Sequence, residues 1–177
     1  MMLVRKHLMS RCTLLDTECD TMLALRIQNR SLDDTIIICA YIPPIDSPYY
    51  CDKNMSSNLV VLEEVLLRFQ EKYPGSDFLI CGDMNARIAS WDTQSEEAEY
   101  EDDWYDQGGT FCTCDNYLSP RRSQDRTVNN FGKLLMNLCK VHHALVLNGC
   151  TRSDRTGQYT YLSPTGDSVI DYCLVIT

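Results

Sequence analysis

Short apolar runs separated by polar turns predict a chain in which strands and helices alternate. Strands are predicted over residues 22–28, 35–41 and 77–81, and the last two runs are almost entirely apolar, as is typical of central strands. Within the third run, residues 78–81 are expected to be buried on both faces of the sheet. The chain turns polar immediately after this run.

An amphipathic helix is predicted between the second and third strands. Ser57 is placed to cap it, its apolar positions fall on one face, and Pro74 and Gly75 follow its end. Because a crossover helix joins parallel strands of one sheet, the carboxyl ends of both strands should lie at the same edge. This strand-helix-strand unit predicts an α/β fold that brings Tyr41 close to Asp83.

The alternation continues after a long polar segment. A helix is predicted over residues 127–140, although Gly132 interrupts it at some cost in helix propensity. Short strands are predicted over residues 144–147, 159–162 and 168–177. The polar segment before them, residues 88–126, is longer than an ordinary connection, and loops of this length are usually functional or mobile.

Two polar side chains directly follow the third predicted strand. Asp83 and Asn85 are two positions apart, so in an extended chain both would point to one side. A carboxylate there can orient and deprotonate a water, and a neutral amide can hold that water or a phosphoryl oxygen, which suits hydrolysis at phosphorus. In the alternative interpretation, residues 82–85 form a turn whose polar side chains only satisfy backbone groups.

Tyr41 and Asp171 are further candidates for the same chemistry. Tyr41 ends the second strand, where Pro43 and Pro44 stiffen the exit. Its phenol could donate to a phosphate oxygen, or its ring could pack on the core with the hydroxyl in water. Asp171 is a single carboxylate in a final strand that is apolar on both faces, which is costly unless something pairs with it. It is therefore the second strong functional candidate.

The negative charge of the chain is concentrated in one segment. The net charge is −9, from 25 acidic and 16 basic residues. Residues 91–107 hold eight of the acids and no base, which leaves 17 acids against 16 bases elsewhere. Outside this acidic loop the surface should be close to neutral, with a small basic cluster formed by Arg121, Arg122 and Arg126.

The cysteines and the first residues bear on the compartment. Arg5 and Lys6 stand where a signal peptide has its apolar core, and no run is long enough to span a membrane. Cys39, Cys81 and Cys173 lie inside apolar runs, where a thiol behaves as a small hydrophobic group. We expect reduced cysteines in an intracellular protein, nuclear or cytoplasmic, that is not secreted.

These motifs together resemble the endonuclease/exonuclease/phosphatase superfamily, of which DNase I is a member. The resemblance rests on a strand ending in Tyr41 before two prolines, the run GDMN at residues 82–85 and the run SVIDY at residues 168–172. The segment between these runs resembles the endonuclease domain of LINE-type non-LTR retrotransposons. The residues that carry this second resemblance are Arg122, Ser123, Asp125, Asn130, Gly132, Leu135, Leu138, Cys139, Leu147, Asn148, Gly149, Asp154, Gly157, Tyr159 and Thr160.

The resemblance implies a four-layered α/β sandwich, in which two packed β-sheets are flanked by helices, and metal-dependent cleavage of a phosphodiester. Asp83 would activate or hold the attacking water, and Asn85 would help to place this water and the phosphate. Tyr41 would contact the scissile phosphate. Asp171 would orient a catalytic histidine or assist at the metal.

The resemblance further implies a substrate, a cofactor and partners. We expect Asn148, Asn130 and Arg87 to bind the substrate, and Mg²⁺ or Mn²⁺ to serve as the cofactor. DNA would be nicked on one strand beside a reverse transcriptase domain, and no membrane would take part.

By the same resemblance, the chain is expected to be truncated at both ends. The single domain, residues 1–177, would lack the first strands, with a metal-binding Glu, and the final strand, with the catalytic His. Such groups act as a unit, so their loss would cost many powers of ten in rate. Two alternatives stay open: a non-catalytic remnant or binding module of a decayed retroelement, and a phosphatase acting on a small phosphorylated substrate.

Overall fold

The part of the chain that the structure describes forms one mixed β-sheet of six strands. The structure is a computed structural model, and it describes residues 2–29, 33–51, 57–92 and 119–177. The strands are β1 (Cys12–Leu15), β2 (Met22–Ile27), β3 (Thr35–Tyr41), β4 (Asp77–Asp83), β5 (Leu145–Val146) and β6 (Asp171–Ile176). Their order across the sheet is β1-β2-β3-β4-β6-β5. Neighbouring strands are antiparallel, except that β3 and β4 are parallel.

The parallel pair is joined by the predicted crossover helix. After the single turn α1 (Pro48–Cys51), helix α2 (Asn58–Lys72) begins at its predicted cap, because the Ser57 hydroxyl accepts a hydrogen bond from the N–H of Leu59 at 3.3 Å. Tyr41 and Asp83 are therefore register partners at the same sheet edge. The predicted strand-helix-strand unit and the α/β class are confirmed.

Helix α3 (Asn130–Val141) begins later than its predicted start because Asn129 caps it. The side-chain oxygen of Asn129 accepts the N–H of Gly132 at 2.6 Å. A Cβ atom at Gly132 would lie 1.9 Å from the carbonyl oxygen of Arg87, so only glycine permits this approach. The residue that costs helix propensity is thus the one that lets α3 lie directly on the chain beyond β4.

Helices α2 and α3 pack on the same face of the sheet. Their apolar residues share one core with the sheet residues Ile36, Ile38, Phe78, Ile80, Tyr172 and Leu174. The alternate residues of these strands are only half-buried, among them Ile37, Leu79, Cys81 and Val175. The prediction that residues 78–81 are buried on both faces is therefore wrong for Leu79 and Cys81, because α2 and α3 cover only one side.

Three other predictions meet different outcomes. Residues 159–162 do not form the predicted strand, since Tyr161 makes only an isolated bridge with Ser168. The second sheet of a four-layered sandwich is not found among the described residues. Residues 93–118, which include most of the acidic loop, lie outside them.

The membrane and cysteine predictions can be compared with the described side chains. No helix in the described ranges has the length and apolar character needed to cross a membrane. The described cysteine side chains are all free thiols. Burial raises the pKa of Cys81 and of Cys139 to about 12, which keeps both thiols protonated and poorly reactive.

A buried ion pair joins three loops near the edge where β4 ends. Asp125 has a side chain that is 2% exposed, and it accepts hydrogen bonds from Arg87 Nε at 2.7 Å and Nη2 at 2.8 Å. It also accepts the N–H groups of Thr127 at 2.9 Å and Val169 at 3.1 Å. One carboxylate thereby connects the segments that follow β4, precede α3 and precede β6.

These bonds decide the charge state of Asp125. Burial alone would raise the pKa of Asp125, but the hydrogen bonds from Arg87, Thr127 and Val169 outweigh burial and hold the pKa below its ordinary value. The hydrogen bond to Asp125 in turn raises the pKa of Arg87. Because the folded-state pKa of Asp125 is depressed, its contribution to stability is present above its unfolded pKa and is lost as pH falls through the folded value.

We predict that Asp125→Ala lowers the free energy of unfolding by about 3 kcal/mol, because it leaves a partly buried guanidinium and two N–H groups without their acceptor. Urea unfolding at pH 7, followed by circular dichroism, measures the change. Asp167→Ala is the control, since Asp167 is exposed and, among the described residues, its carboxylate accepts a single N–H, that of Ser163. Equal stability of the two variants would contradict the role given to Asp125.

Candidate functional site

Tyr41, Asp83 and Asp171 lie in one row across the sheet. Tyr41 pairs with Asp83 between β3 and β4, and Asp83 pairs with Asp171 between β4 and β6. Register partners on neighbouring strands present their side chains on the same face, which here is the half-buried one. Three of the four predicted catalytic residues are thus brought together.

Asp83 and Asp171 are placed closely enough for their carboxylates to interact. The next pair of the ladder is joined by a main-chain hydrogen bond of 2.8 Å from the N–H of Met84 to the carbonyl of Ile170. Bonded and non-bonded pairs alternate in an antiparallel ladder, so Asp83 and Asp171 form a non-hydrogen-bonded pair, whose Cα atoms are typically about 4.5 Å apart. Two acidic side chains therefore stand side by side at this edge.

Gly82 sets the position of Asp83. It has a φ of 142°, and a Cβ atom at this residue would lie 1.9 Å from the carbonyl oxygen of Ala40. Any other residue would push β4 away from β3 at the pair of Ala40 and Gly82, which directly precedes the pair of Tyr41 and Asp83. The glycine before the acid is a geometric requirement of the row.

The chain leaves the strand in a turn at Asp83 and Asn85. Asn85 has a φ of 45°, and its N–H donates to Oδ1 of Asp83 at 2.9 Å. The prediction that an extended chain directs both side chains to one side is therefore wrong. The alternative interpretation of residues 82–85 as a turn holds only beyond Asp83, because Gly82 and Asp83 belong to β4.

Asn85 keeps hydrogen-bonding capacity despite this turn. Its Nδ2 donates to the carbonyl of Ile42 at 2.8 Å, which fixes the amide against the chain beyond β3. A carboxamide has two N–H donors and an acceptor oxygen, so one donor and the oxygen remain for a ligand. Asn85 also lines a cavity of about 280 Å³ together with Ile45 and Asn130.

The surroundings of Asp83 favour its protonated form. Burial raises the pKa of Asp83 above its ordinary value, and the Asp171 carboxylate adds to the rise, while the hydrogen bond from Asn85 opposes it. A carboxylate with a raised pKa is a stronger base once it is ionised. The row thus has the electrostatic character of a proton-transfer or cation-binding site.

The residues at this edge fit a hard divalent cation that keeps part of its water shell. Mg²⁺ is commonly bound through one or two carboxylates and several waters, and two carboxylates are available here. Within the described ranges no three His, Cys, Asp or Glu side chains are grouped to enclose a metal ion.

The three predicted substrate-binding residues occupy different surroundings. Asn130 is exposed at the start of α3, beside Asn85. Arg87 is engaged with Asp125 through two of its nitrogens. Asn148 bonds to the backbone of β6. Asn130 is thus the predicted substrate contact that shares a cavity with Asn85 and is exposed.

The predicted basic cluster is not a surface cluster of three. Arg121 is buried, where its Nη1 donates to the carbonyls of Ala89 at 2.6 Å and Trp91 at 2.8 Å, and burial lowers its pKa. Arg122 and Arg126 are exposed. The spacing of charges along the chain does not reveal that one arginine serves as a loop anchor.

Asn129 is a site-supporting residue that sequence reasoning missed. Its side chain donates to the carbonyl of Asn85 at 2.9 Å and accepts the N–H of Arg87 at 2.9 Å, while it also caps α3. An Asn directly before an amphipathic run is a recognised cap signal, so its capping role was open to prediction. Its hydrogen bonds to the loop beyond β4 have no signal in the sequence from which they could be predicted.

Comparison with solved structures finds the endonuclease domain of TRAS1, a telomere-specific non-LTR retrotransposon, with a TM-score of 0.53 and 13% sequence identity. The match covers 92% of this chain and 52% of that one, so the chain spans about half the length of the solved structure. No protein-family model and no curated protein matches the chain. The resemblance inferred from the motifs is confirmed at the level of the fold.

We predict that Asp171→Asn lowers the pKa of Asp83, because it removes a neighbouring negative charge. A raised folded-state pKa means that the free energy of unfolding falls as pH rises through it, and this fall should be smaller in the variant. Carboxyl ¹³C NMR titration with EDTA present measures the shift. Asp77→Asn, at the other end of β4, is the matched control, and an equal effect of both variants would disprove the coupling.

Proposed function

We propose that this chain is a divalent-metal-dependent phosphodiesterase that nicks one strand of DNA, as a retrotransposon-type endonuclease. The observation that carries the proposal is the register of Tyr41, Asp83 and Asp171 in one row, with Asn85 held beside it. A phenol, two carboxylates and an amide at one edge can supply a base, a metal ligand and phosphate contacts for the hydrolysis of a phosphodiester.

Asp83 orients the attacking water and takes its proton. One of its oxygens is occupied by the N–H of Asn85, which fixes the carboxylate and leaves the other oxygen for the water. Its raised pKa brings the proton affinity of the base closer to the working pH.

Asn85 and Tyr41 bind the phosphate on either side of this base. The amide of Asn85 is already held by Ile42, so placing a phosphoryl oxygen on its remaining N–H costs little reorganisation. Tyr41 is 49% exposed at the end of β3, where its hydroxyl can donate to a second phosphoryl oxygen. Neither group adds negative charge next to the substrate.

Asp171 would hold a divalent cation, Mg²⁺ or Mn²⁺, next to Asp83. A bound ion supplies stabilisation of negative charge on the phosphate oxygens. The carboxylate of Asp171 is suited to the task because it faces the same side as Asp83 and is half-buried.

DNA is the proposed substrate, and a reverse transcriptase domain is the proposed partner in a complete element. The support is the fold shared with a structure described as a retrotransposon endonuclease domain. Exposed Arg122 and Arg126 offer positive charge on the described surface for the phosphate backbone. The strongly acidic residues 91–107 carry charge of the same sign as a polyanionic substrate.

We predict that the chain nicks supercoiled plasmid with Mg²⁺ or Mn²⁺, that EDTA abolishes nicking, and that Asp83→Asn slows it by at least about a hundredfold, the scale of a lost general base. Asp77→Asn is the matched control, with a carboxylate on the same strand and the same face but at the opposite end. Gel separation of supercoiled from open-circular plasmid provides the rate.

The alternative functions predict different results in activity assays with plasmid and with nitrophenyl phosphates. A wild-type chain that is folded by circular dichroism but nicks nothing would overturn the proposal in favour of a non-catalytic binding module. Hydrolysis of p-nitrophenyl phosphate, with none of bis-p-nitrophenyl phosphate, would indicate a phosphatase of small monoesters. Equal activity of Asp83→Asn and Asp77→Asn would point to a contaminating nuclease.

A further inference from the structure

The main-chain groups of Asp171 need partners outside the pairing of β4 with β6. Because Asp171 and Asp83 are a non-hydrogen-bonded pair, the N–H and C=O of Asp171 point away from β4. The neighbour on that side, β5, pairs only at Leu145 and Val146, with Val175 and Leu174. The ladder therefore ends before it reaches the acid.

The side chain of Asn148 extends this ladder where the backbone of β5 leaves it. The N–H of Leu147 still donates to the carbonyl of Cys173 at 2.9 Å. Beyond that point, Oδ1 of Asn148 accepts the N–H of Cys173 at 2.9 Å, and its Nδ2 donates to the carbonyl of Asp171 at 3.0 Å. One carboxamide thus makes the two bonds that the C=O of Leu147 and the N–H of Gly149 would make in a continued ladder.

A second side chain, that of Thr160, provides the acceptor for the N–H of Asp171. Its Oγ1 accepts the N–H groups of Ile170 and Asp171, each at 3.1 Å. Thr160 is itself fixed, because its N–H donates to the carbonyl of Ser168 at 3.0 Å. The oxygen is therefore held in place before any ligand binds.

We propose that Thr160 and Asn148 are positioning residues that set the carboxylate of Asp171 against Asp83. This inference rests on the proposed function, and it assigns to Asn148 a role other than the predicted contact with substrate. Asp171 begins β6, where no strand of the described residues pairs with its outer side. The two side chains replace that neighbour and fix the peptide that carries the acid.

Small displacements matter at such a position. A misplacement of about 1 Å in a catalytic group costs up to a hundredfold in rate. Loss of the Thr160 oxygen leaves two adjacent N–H groups without their acceptor, so the start of β6 must move or recruit water. Thr160 is exposed, so its replacement leaves the packing of the core intact.

The test compares Thr160→Val, which keeps the shape and removes the oxygen, with Thr160→Ser, which keeps the oxygen. Ser163→Ala is the matched control, because Ser163 lies in the same loop and its hydroxyl donates to the carbonyl of Gly166 at 2.7 Å rather than to β6. Amide hydrogen exchange of Ile170 and Asp171 is measured by NMR, and kcat and KM are measured with plasmid and Mg²⁺.

We expect Thr160→Val to speed exchange at Ile170 and Asp171 at least tenfold and to lower kcat at least tenfold, with KM changed less than twofold. Thr160→Ser should stay within threefold of the wild type in both measurements. Asn148→Asp, which keeps the acceptor and loses the donor to Asp171, should also lower kcat without raising KM.

Other outcomes overturn the inference. One is a Thr160→Val variant with the same kcat as Ser163→Ala. Another is a Thr160→Val variant whose KM rises while its kcat is unchanged. The third is a Thr160→Ser variant that is as impaired as Thr160→Val. If the wild type nicks nothing, the proposed function fails and exchange alone decides the inference. Faster exchange in Thr160→Val with rescue in Thr160→Ser then supports the positioning role, and unchanged exchange refutes it.

Discussion

The carboxylate of Asp125 is the constraint on which the loops around the candidate site depend. Its oxygens receive four N–H groups, two from Arg87 and one each from Thr127 and Val169. These donors come from the segment after β4, the segment before α3 and the segment before β6. The ion pair therefore holds the chain that follows Asp83 to the chain that leads into Asp171.

The candidate site lies where the strands end and the loops begin. Asp83 ends one strand, Asp171 begins another, and Asn85 occupies a left-handed turn. At each point a side chain replaces a backbone partner. Asp83 accepts the N–H of Asn85, and Asn129 donates to the carbonyl of Asn85. The hydroxyl of Thr160 accepts the N–H of Asp171. Polar side chains at this edge therefore divide between those that satisfy the backbone and those left for a ligand.

Local patterns predicted the elements whose determinants are local. The apolar run of β3, the capped helix α2 and the polar exit of β4 each have a signal within a few residues, and Tyr41 and Asp83 could be placed together because a crossover helix implies parallel strands. The final strand was also evident, although it begins only at Asp171.

The remaining features depend on distant partners. An all-apolar run reads the same whether one or both faces are covered, so the half-exposure of Leu79 and Cys81 was not predictable from residues 78–81. The burial of Arg121 depends on carbonyls some 30 residues earlier in the chain. The same holds for Arg87, whose partner Asp125 lies 38 residues further along the chain.

The half-buried face of the sheet has a consequence for the thermodynamics of unfolding. The heat-capacity change of unfolding comes mainly from apolar surface that is newly exposed to water, at about 0.45 cal/K/mol per Å². Residues such as Ile37, Leu79 and Val175 already meet water in part when the chain is folded, so they contribute less to this change than the fully buried Ile36, Ile38 and Leu174. The temperature dependence of its stability should accordingly be flatter than that of a sheet covered on both sides.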